Sequence, residues 1–302
     1  MKVKITDNFY LLFCFLLIAW GSYAAVSKFV LNRLDAFQVQ FYSYGIASCI
    51  MLAALIRSKK FTEMKSLLPK QWGIIMICAL TSCAYTYLYN SALSMADELH
   101  ITTVVMINNL YPLFVAIFAV PINGEHLNAR KIVSLLIGLC GAFTAVAGGS
   151  EFVIDAESLP MYMLVLTAAV SWGVFSGFGK KNSVPMVISN FVYVFVGFIV
   201  STVLLPLNSS FVAVEFDLLI VVSWLGLTNF ILGVFIWLRL LKISASSKVA
   251  SLSLITPVVS LMFVKLLFPD TQIGIYHVIG LVLILIGVAL QRNNKKVNAA
   301  KL

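Results

Sequence analysis

Two stretches decide the fold: AWGSYAAVSKF at Ala19–Phe29 and SWGVFSGFGKK at Ser171–Lys181. In each, a Trp-Gly pair (Trp20–Gly21, Trp172–Gly173) precedes a lysine (Lys28, Lys180) by the same step, at an offset of 152 residues. A second pair follows, NLYPLFVAIFAVPINGE at Asn109–Glu125 and LITPVVSLMFVKLLFPD at Leu254–Asp270. Here Pro112 matches Pro257 and Glu125 matches Asp270 at an offset of 145, Pro121 falls near Pro269, and Gly141 matches Gly287 at 146. The chain reads as one unit used twice, over 1–150 and 151–302. Such repetition governs the whole architecture.

The rest of the composition says what medium that unit is built for. Of 302 residues, 61% are apolar and 11% charged, whereas a soluble domain carries roughly 45–50% apolar and ~25% charged residues. The excess apolar surface has nowhere to hide in water. That excludes an ordinary soluble enzyme, a disordered chain, a fibrous repeat and a secreted disulfide scaffold. The five cysteines sit inside apolar stretches without CxxC or Cys/His spacing, so a metal site or cofactor is not expected.

A helix crossing a bilayer needs about 20 mostly apolar residues. Ten segments qualify, near 9–31, 38–56, 72–94, 101–120, 131–148, 159–179, 185–206, 216–238, 247–268 and 273–290. The fold class is therefore an all-α integral membrane protein of ten transmembrane helices. Lys2, Lys4 and the apolar run behind them resemble a signal peptide, but the run is too long and nine more spans follow, so an uncleaved first helix is expected.

Charge sets the orientation. Eighteen of the 21 basic residues fall on one side, leaving Lys28, Arg33 and Lys265 for the other, which takes nine of the twelve acids. The net charge of +9 is then a topology signal and not a nucleic-acid footprint. Both termini should be cytoplasmic. Five helices per half is an odd number, so the second half enters the membrane upside down, and inverted repeats are the build of many secondary transporters.

Ten helices in two five-helix repeats, Trp-Gly in helices 1 and 6, a mid-helix proline in helices 4 and 9, Glu125 after helix 4, and the glycines of helices 5 and 10 resemble the EamA-type branch of the drug/metabolite transporter superfamily. The resemblance implies a bacterial inner-membrane exporter or exchanger of small metabolites, often amino acids or their derivatives. MADELHITT, between helices 3 and 4, departs from the family's usual short turn by being longer and more acidic.

Candidate pathway residues are the polar and aromatic groups at membrane depth, which are costly there and usually face the bundle interior. They are Trp20 and Tyr23 in helix 1; Tyr85, Tyr89 and Asn90 in helix 3; Asn108 and Asn109 in helix 4; Trp172 and Ser176 in helix 6; and Asn229 in helix 8. Tyr85 and Tyr89 share one helical face at i, i+4. Amide and phenol groups can hold a zwitterion, and aromatic faces an ammonium. Each residue has a plainer reading too: interhelical glue for the amides, packing for the tryptophans. Pro112 and Pro257 are candidate kinks or hinges.

Lys28 and Lys265 are expected to snorkel to headgroups, Lys180–Lys181 to serve orientation, Glu125 to cap or pair locally, and His277 to sit at the interface. No carboxylate lies deep in a span, so proton coupling stays open. The favoured function is export of a small polar or zwitterionic metabolite by alternating access. The alternatives are exchange of nucleotide-type or phosphorylated metabolites, a small-solute channel, or an intramembrane lipid-modifying enzyme. The expected partners are the small-molecule substrate and the lipid bilayer, with no nucleic acid, in a monomer or weak homodimer.

Overall fold

The computed structural model describes residues 8–31, 33–96, 100–148, 156–267 and 274–291. Lys2, Lys4, Asp97, Glu98, Glu151, Asp155, Pro269, Asp270, Arg292, Lys295, Lys296, Lys301 and the side chain of Lys28, all used in the charge and repeat arguments, lie outside it.

Every regular element among the described residues is helical. The first half holds α1 (Phe9–Gly21), α2 (Tyr23–Leu31), α3 (Ala36–Arg57), α4 (Phe61–Lys65), α5 (Pro69–Met95), α6 (Ile101–Asn108), α7 (Tyr111–Asn123) and α8 (Ala129–Ala147). The second holds α9 (Leu159–Lys181), α10 (Met186–Asn208), α11 (Phe216–Leu225), a π-helical stretch (Gly226–Gly233), α12 (Val234–Ile243), α13 (Ser246–Ser253), α14 (Thr256–Leu267) and α15 (Ile275–Gln291).

Among the described residues, eight columns are long and apolar enough to cross a membrane, including Ala36–Arg57, Pro69–Met95, Thr103–Asn123 and Phe216–Ile243. Two further apolar helices, Phe9–Gly21 and Ile275–Leu290, are shorter. α1 and α2 meet at Ser22, where Ser22 N–H still bonds Ile18 O and Val26 N–H bonds Ser22 O, so the helical path is nearly unbroken. The bundle's outside is apolar: Leu207, Phe216, Ile220, Leu266 and Val282 stand exposed. In water such a belt would drive aggregation; against hydrocarbon it costs nothing.

Helix boundaries follow local chemistry. Asn8 caps α1 by accepting from Leu11 N–H at 3.2 Å. Asp35 and Gln38 form a reciprocal capping box at the start of α3. Gly124 ends α7 at φ +68°, a left-handed conformation that suits glycine. The short α4 lies in the Lys- and Arg-rich turn between α3 and α5 and has no counterpart among the ten expected segments.

The two prolines, candidate kinks or hinges, each stand in the first turn after a break in the helical path. α6 stops at Asn108 and α7 restarts at Tyr111 with Pro112 in its first turn. α13 stops at Ser253 and α14 restarts at Thr256 with Pro257 next. Proline is tolerated there because the first-turn N–H groups have no helical acceptor. Tighter bonds bridge the gaps, Leu110 N–H to Ile107 O at 3.0 Å and Ile255 N–H to Leu252 O at 3.0 Å.

Packing pairs α8 with α15, α3 with α10, α5 with α9, and α7 with both α9 and α13. The α8–α15 crossing is set by glycines. A Cβ on Gly280 would stand 2.5 Å from Gly141 O and 2.6 Å from Ala145 N, and one on Gly141 would stand 2.6 Å from Gly280 O. Ser134 Oγ donates to Gly287 O at 2.5 Å across the same seam. Gly280→Val is expected to destabilise the purified protein by about 1–3 kcal/mol or more, because backbone cannot yield as a side chain can. Gly73→Ala, with nothing within 4 Å of the added Cβ, is expected to be neutral or slightly stabilising in the same thermal-unfolding assay.

Candidate functional site

Burying polar groups inside the bundle leaves a cavity of about 310 Å³ between the helices. Every broken or irregular column contributes to its wall. Trp20 and Tyr23 flank the α1–α2 junction; Val105, Asn108, Asn109 and Tyr111 flank the α6–α7 break; Thr256, Pro257 and Ser260 open α14. Asn229, Phe230 and Val234 come from the π-helical stretch and the turn after it. A π segment re-aims side chains that a regular helix would bury elsewhere, which is why such segments recur at functional sites.

Of the ten pathway candidates, the structure brings nine to this one cavity: Trp20, Tyr23, Tyr85, Tyr89, Asn90, Asn108, Asn109, Trp172 and Asn229. Ser176 stands outside it, nearly fully buried, and accepts the indole N–H of Trp237 at 2.9 Å. Of the two prolines, Pro257 lines the wall, while Pro112 is buried beside it in α7. Sequence reading missed Tyr44, Ser82, Thr86, Tyr193 and Phe230. Tyr44 had a usable signal, a phenol in mid-helix; Phe230 was indistinguishable from the chain's other phenylalanines.

The wall combines aromatic rings with side-chain amides. Trp172 meets Tyr85 at 4.8 Å between ring centroids, Trp20 at 5.7 Å and Trp237 at 6.0 Å, and Trp20 meets Trp237 at 5.3 Å. Tyr44 stacks on Phe230 at 4.0 Å and donates its hydroxyl to Thr86 Oγ1 at 3.2 Å. Asn109 Nδ2 donates to Val105 O at 2.8 Å, and Asn229 Nδ2 to Leu225 O at 3.1 Å. Asn108 Nδ2 reaches Tyr85 Oη at 3.5 Å, while its Oδ1 is buried without a partner. No Asp, Glu, Lys, Arg or His is among the described residues of the lining.

At the end of the bundle that carries Lys180, three segments meet in a junction. Lys180, at the end of α9, donates to Glu125 Oε1 at 2.6 Å and to Ser244 O at 2.8 Å. Glu125, between α7 and α8, accepts from Ser246 N–H at 2.9 Å and from Ser246 Oγ at 2.5 Å, so it caps α13. The pairing expected to be local is thus long-range, and Lys180 does more than orient. Burial works to raise the Glu125 carboxyl pKa, but hydrogen bonds from Lys180 and Ser246 and the lysine's charge outweigh it and hold the group below the usual carboxylate range. His277, at the start of α15, accepts Gly274 N–H at 3.0 Å and takes no part in this junction.

Comparison with known proteins agrees with this architecture. The model of the EamA-like transporter family matches residues 8–147 and again 159–292. The Bacillus subtilis (strain 168) protein named "Uncharacterized transporter YvbV" is 23% identical over 299 residues, spanning 96% of this chain and 93% of its own. The Escherichia coli (strain K12) protein named "Probable amino-acid metabolite efflux pump" is 27% identical over 179 residues, 55% of this chain and 58% of its own. A solved crystal structure shares the fold with a TM-score of 0.81 over 95% of this chain and 98% of that one, at 19% identity.

The junction yields a pH-dependent prediction. Glu125→Gln should lower stability near neutral pH by about 1–3 kcal/mol, the scale of hydrogen bonds to a charged group. Because the folded-state pKa is depressed, the carboxylate's contribution is present above its unfolded pKa and drains away as pH falls through the folded one. Thermal unfolding of both proteins should show the gap between them narrowing towards acid pH. A constant gap would exclude the charged form as its source.

Proposed function

This chain belongs to the EamA-like transporter family, and we propose that it is a secondary transporter moving a small polar or zwitterionic metabolite, an amino acid or derivative, out across the bacterial inner membrane by alternating access. The observation that carries the reading is the cavity itself: uncharged, polar and aromatic, set between the helices and walled by elements of both halves. An amino-acid-type substrate draws support from the name of the efflux-pump relative.

Ten crossings follow if α1 and α2 form one span, α13 and α14 another, and α15 the last. The inverted repeat, 1–150 against 151–302, draws support from three sides. The family model matches twice. Packing is reciprocal, since α8 packs on α15 and α3 on α10, while α5 against α9 is echoed by α1 against α12. Both proline-led breaks fall at equivalent places. In such a build the two halves can exchange conformations, so a state closed at the Lys180 end implies one closed at the other.

Energy would come from the substrate gradient, with proton coupling open. The runner-up, exchange of nucleotide-type or phosphorylated metabolites, wants several cations around the phosphate, and the described lining has none.

Proteoliposomes should show saturable, ATP-independent flux of a member of an amino-acid, amine and nucleoside panel. Asn108→Ala and Tyr89→Phe should each slow it by about threefold to tenfold, the worth of one hydrogen bond. Absence of saturable flux across the whole panel would contradict the reading. Reporter fusions should find both chain ends in the cytoplasm; ends on opposite sides would remove the ten-span topology.

A further inference from the structure

The cavity's wall holds acceptors open to a ligand. A backbone carbonyl can only accept, so the amides of Asn109 and Asn229 must turn an N–H towards Val105 O and Leu225 O. Their oxygens are left over. Hydroxyls commit their hydrogens likewise: Thr86 donates to Ser82 O at 3.0 Å while accepting from Tyr44, and Ser82 donates to Ala79 O at 3.1 Å. Asn108 is more than nine-tenths buried, and its Oδ1 has no hydrogen-bond partner. A buried, unmatched acceptor costs about 1–3 kcal/mol, so it stands ready for a donor that the protein does not supply. Beside it lie the rings of Tyr85 and Trp172, tilted against each other with centroids 4.8 Å apart, and ring faces attract cations.

An unmatched buried acceptor, neighbouring aromatic rings and no fixed charge among the described lining make a site for a cation that brings its own hydrogens. We infer that the cavity recognises its substrate through a protonated primary or secondary amine, whose N–H groups donate to Asn108 Oδ1 and whose charge rests on the Tyr85–Trp172 corner. A carboxylate on the substrate is tolerated and is not the anchor. The inference rests on the reading of this cavity as the transport site and narrows its substrate class.

The test is binding to the purified full-length protein in nanodiscs, followed by quenching of tryptophan fluorescence. Four matched probes are compared: phenethylamine, 2-phenylethanol, 3-phenylpropionate and N,N,N-trimethylphenethylammonium. Phenethylamine should bind about tenfold more tightly than the alcohol and the carboxylate, on the scale of a hydrogen bond to a charged group. The quaternary probe, which has charge but no N–H, should fall between. Asn108→Leu should abolish the amine's advantage over the quaternary probe. Asn108→Asp should enlarge the amine's advantage over the alcohol, a gain that misfolding cannot imitate.

Equal binding of amine and alcohol, or tighter binding of the carboxylate, would overturn the inference. Flux in proteoliposomes is scored separately. Saturable transport without amine preference would leave the transporter reading standing and remove this one. Amine preference without transport would do the reverse.

Discussion

The hydrocarbon core offers no hydrogen bonds, and this constraint orders everything else in the molecule. Polar side chains within the columns answer it in two ways. Many fold back onto their own helix: Thr81 Oγ1 to Ile77 O, Thr167 Oγ1 to Met163 O, Thr202 Oγ1 to Phe198 O, and Thr228 Oγ1 to Trp224 O, all at 2.7–2.8 Å. Others turn inward, and where a column breaks or widens into a π-helix, its irregular backbone lies at the cavity. The α6–α7 gap, the α13–α14 gap and the π-helical stretch all border the same space. The site is where the bundle gathers what lipid will not accept.

The same constraint separates the two ends of the bundle. Where Lys180, Glu125 and Ser246 meet, three segments are tied by short, partly buried, charge-assisted bonds, and Lys242 adds another by donating to Asn182 O at 2.7 Å. Above that junction the Trp20–Trp172–Trp237 cluster forms a dense aromatic layer. At the opposite end Arg33 meets Asp217 at 3.1 Å with both side chains well exposed. Exposed pairs are worth little. Gln38 Nε2, donating to Ser210 O at 2.8 Å, adds a tie at that end.

Much of this was legible in the sequence because membranes leave strong signatures. Long apolar runs, the sorting of lysine and arginine, and the Trp-Gly and proline offsets pointed to the columns. Nine polar or aromatic residues at depth, Asn108 and Tyr85 among them, converge on the cavity because lipid penalises them anywhere else. Other features were not legible. Ser176 looked like Asn109 in pattern, but its hydroxyl is taken by Trp237. Phe230 depends on a π-helical turn that the sequence around Gly226–Gly233 does not announce. Glu125 read as a local cap because its partners, Lys180 and Ser246, are 55 and 121 residues away. Tertiary pairing of that kind leaves no local trace.

The central claim is that one cavity is reached from either face in turn. A single cysteine placed at Ser82, in a protein whose five native cysteines are replaced, reports on it through membrane-impermeant thiol reagents in oriented vesicles. Labelling should occur from both faces, with Glu125→Gln shifting reactivity towards the face that carries Lys180. Reaction from one face only, in both proteins, would contradict the account.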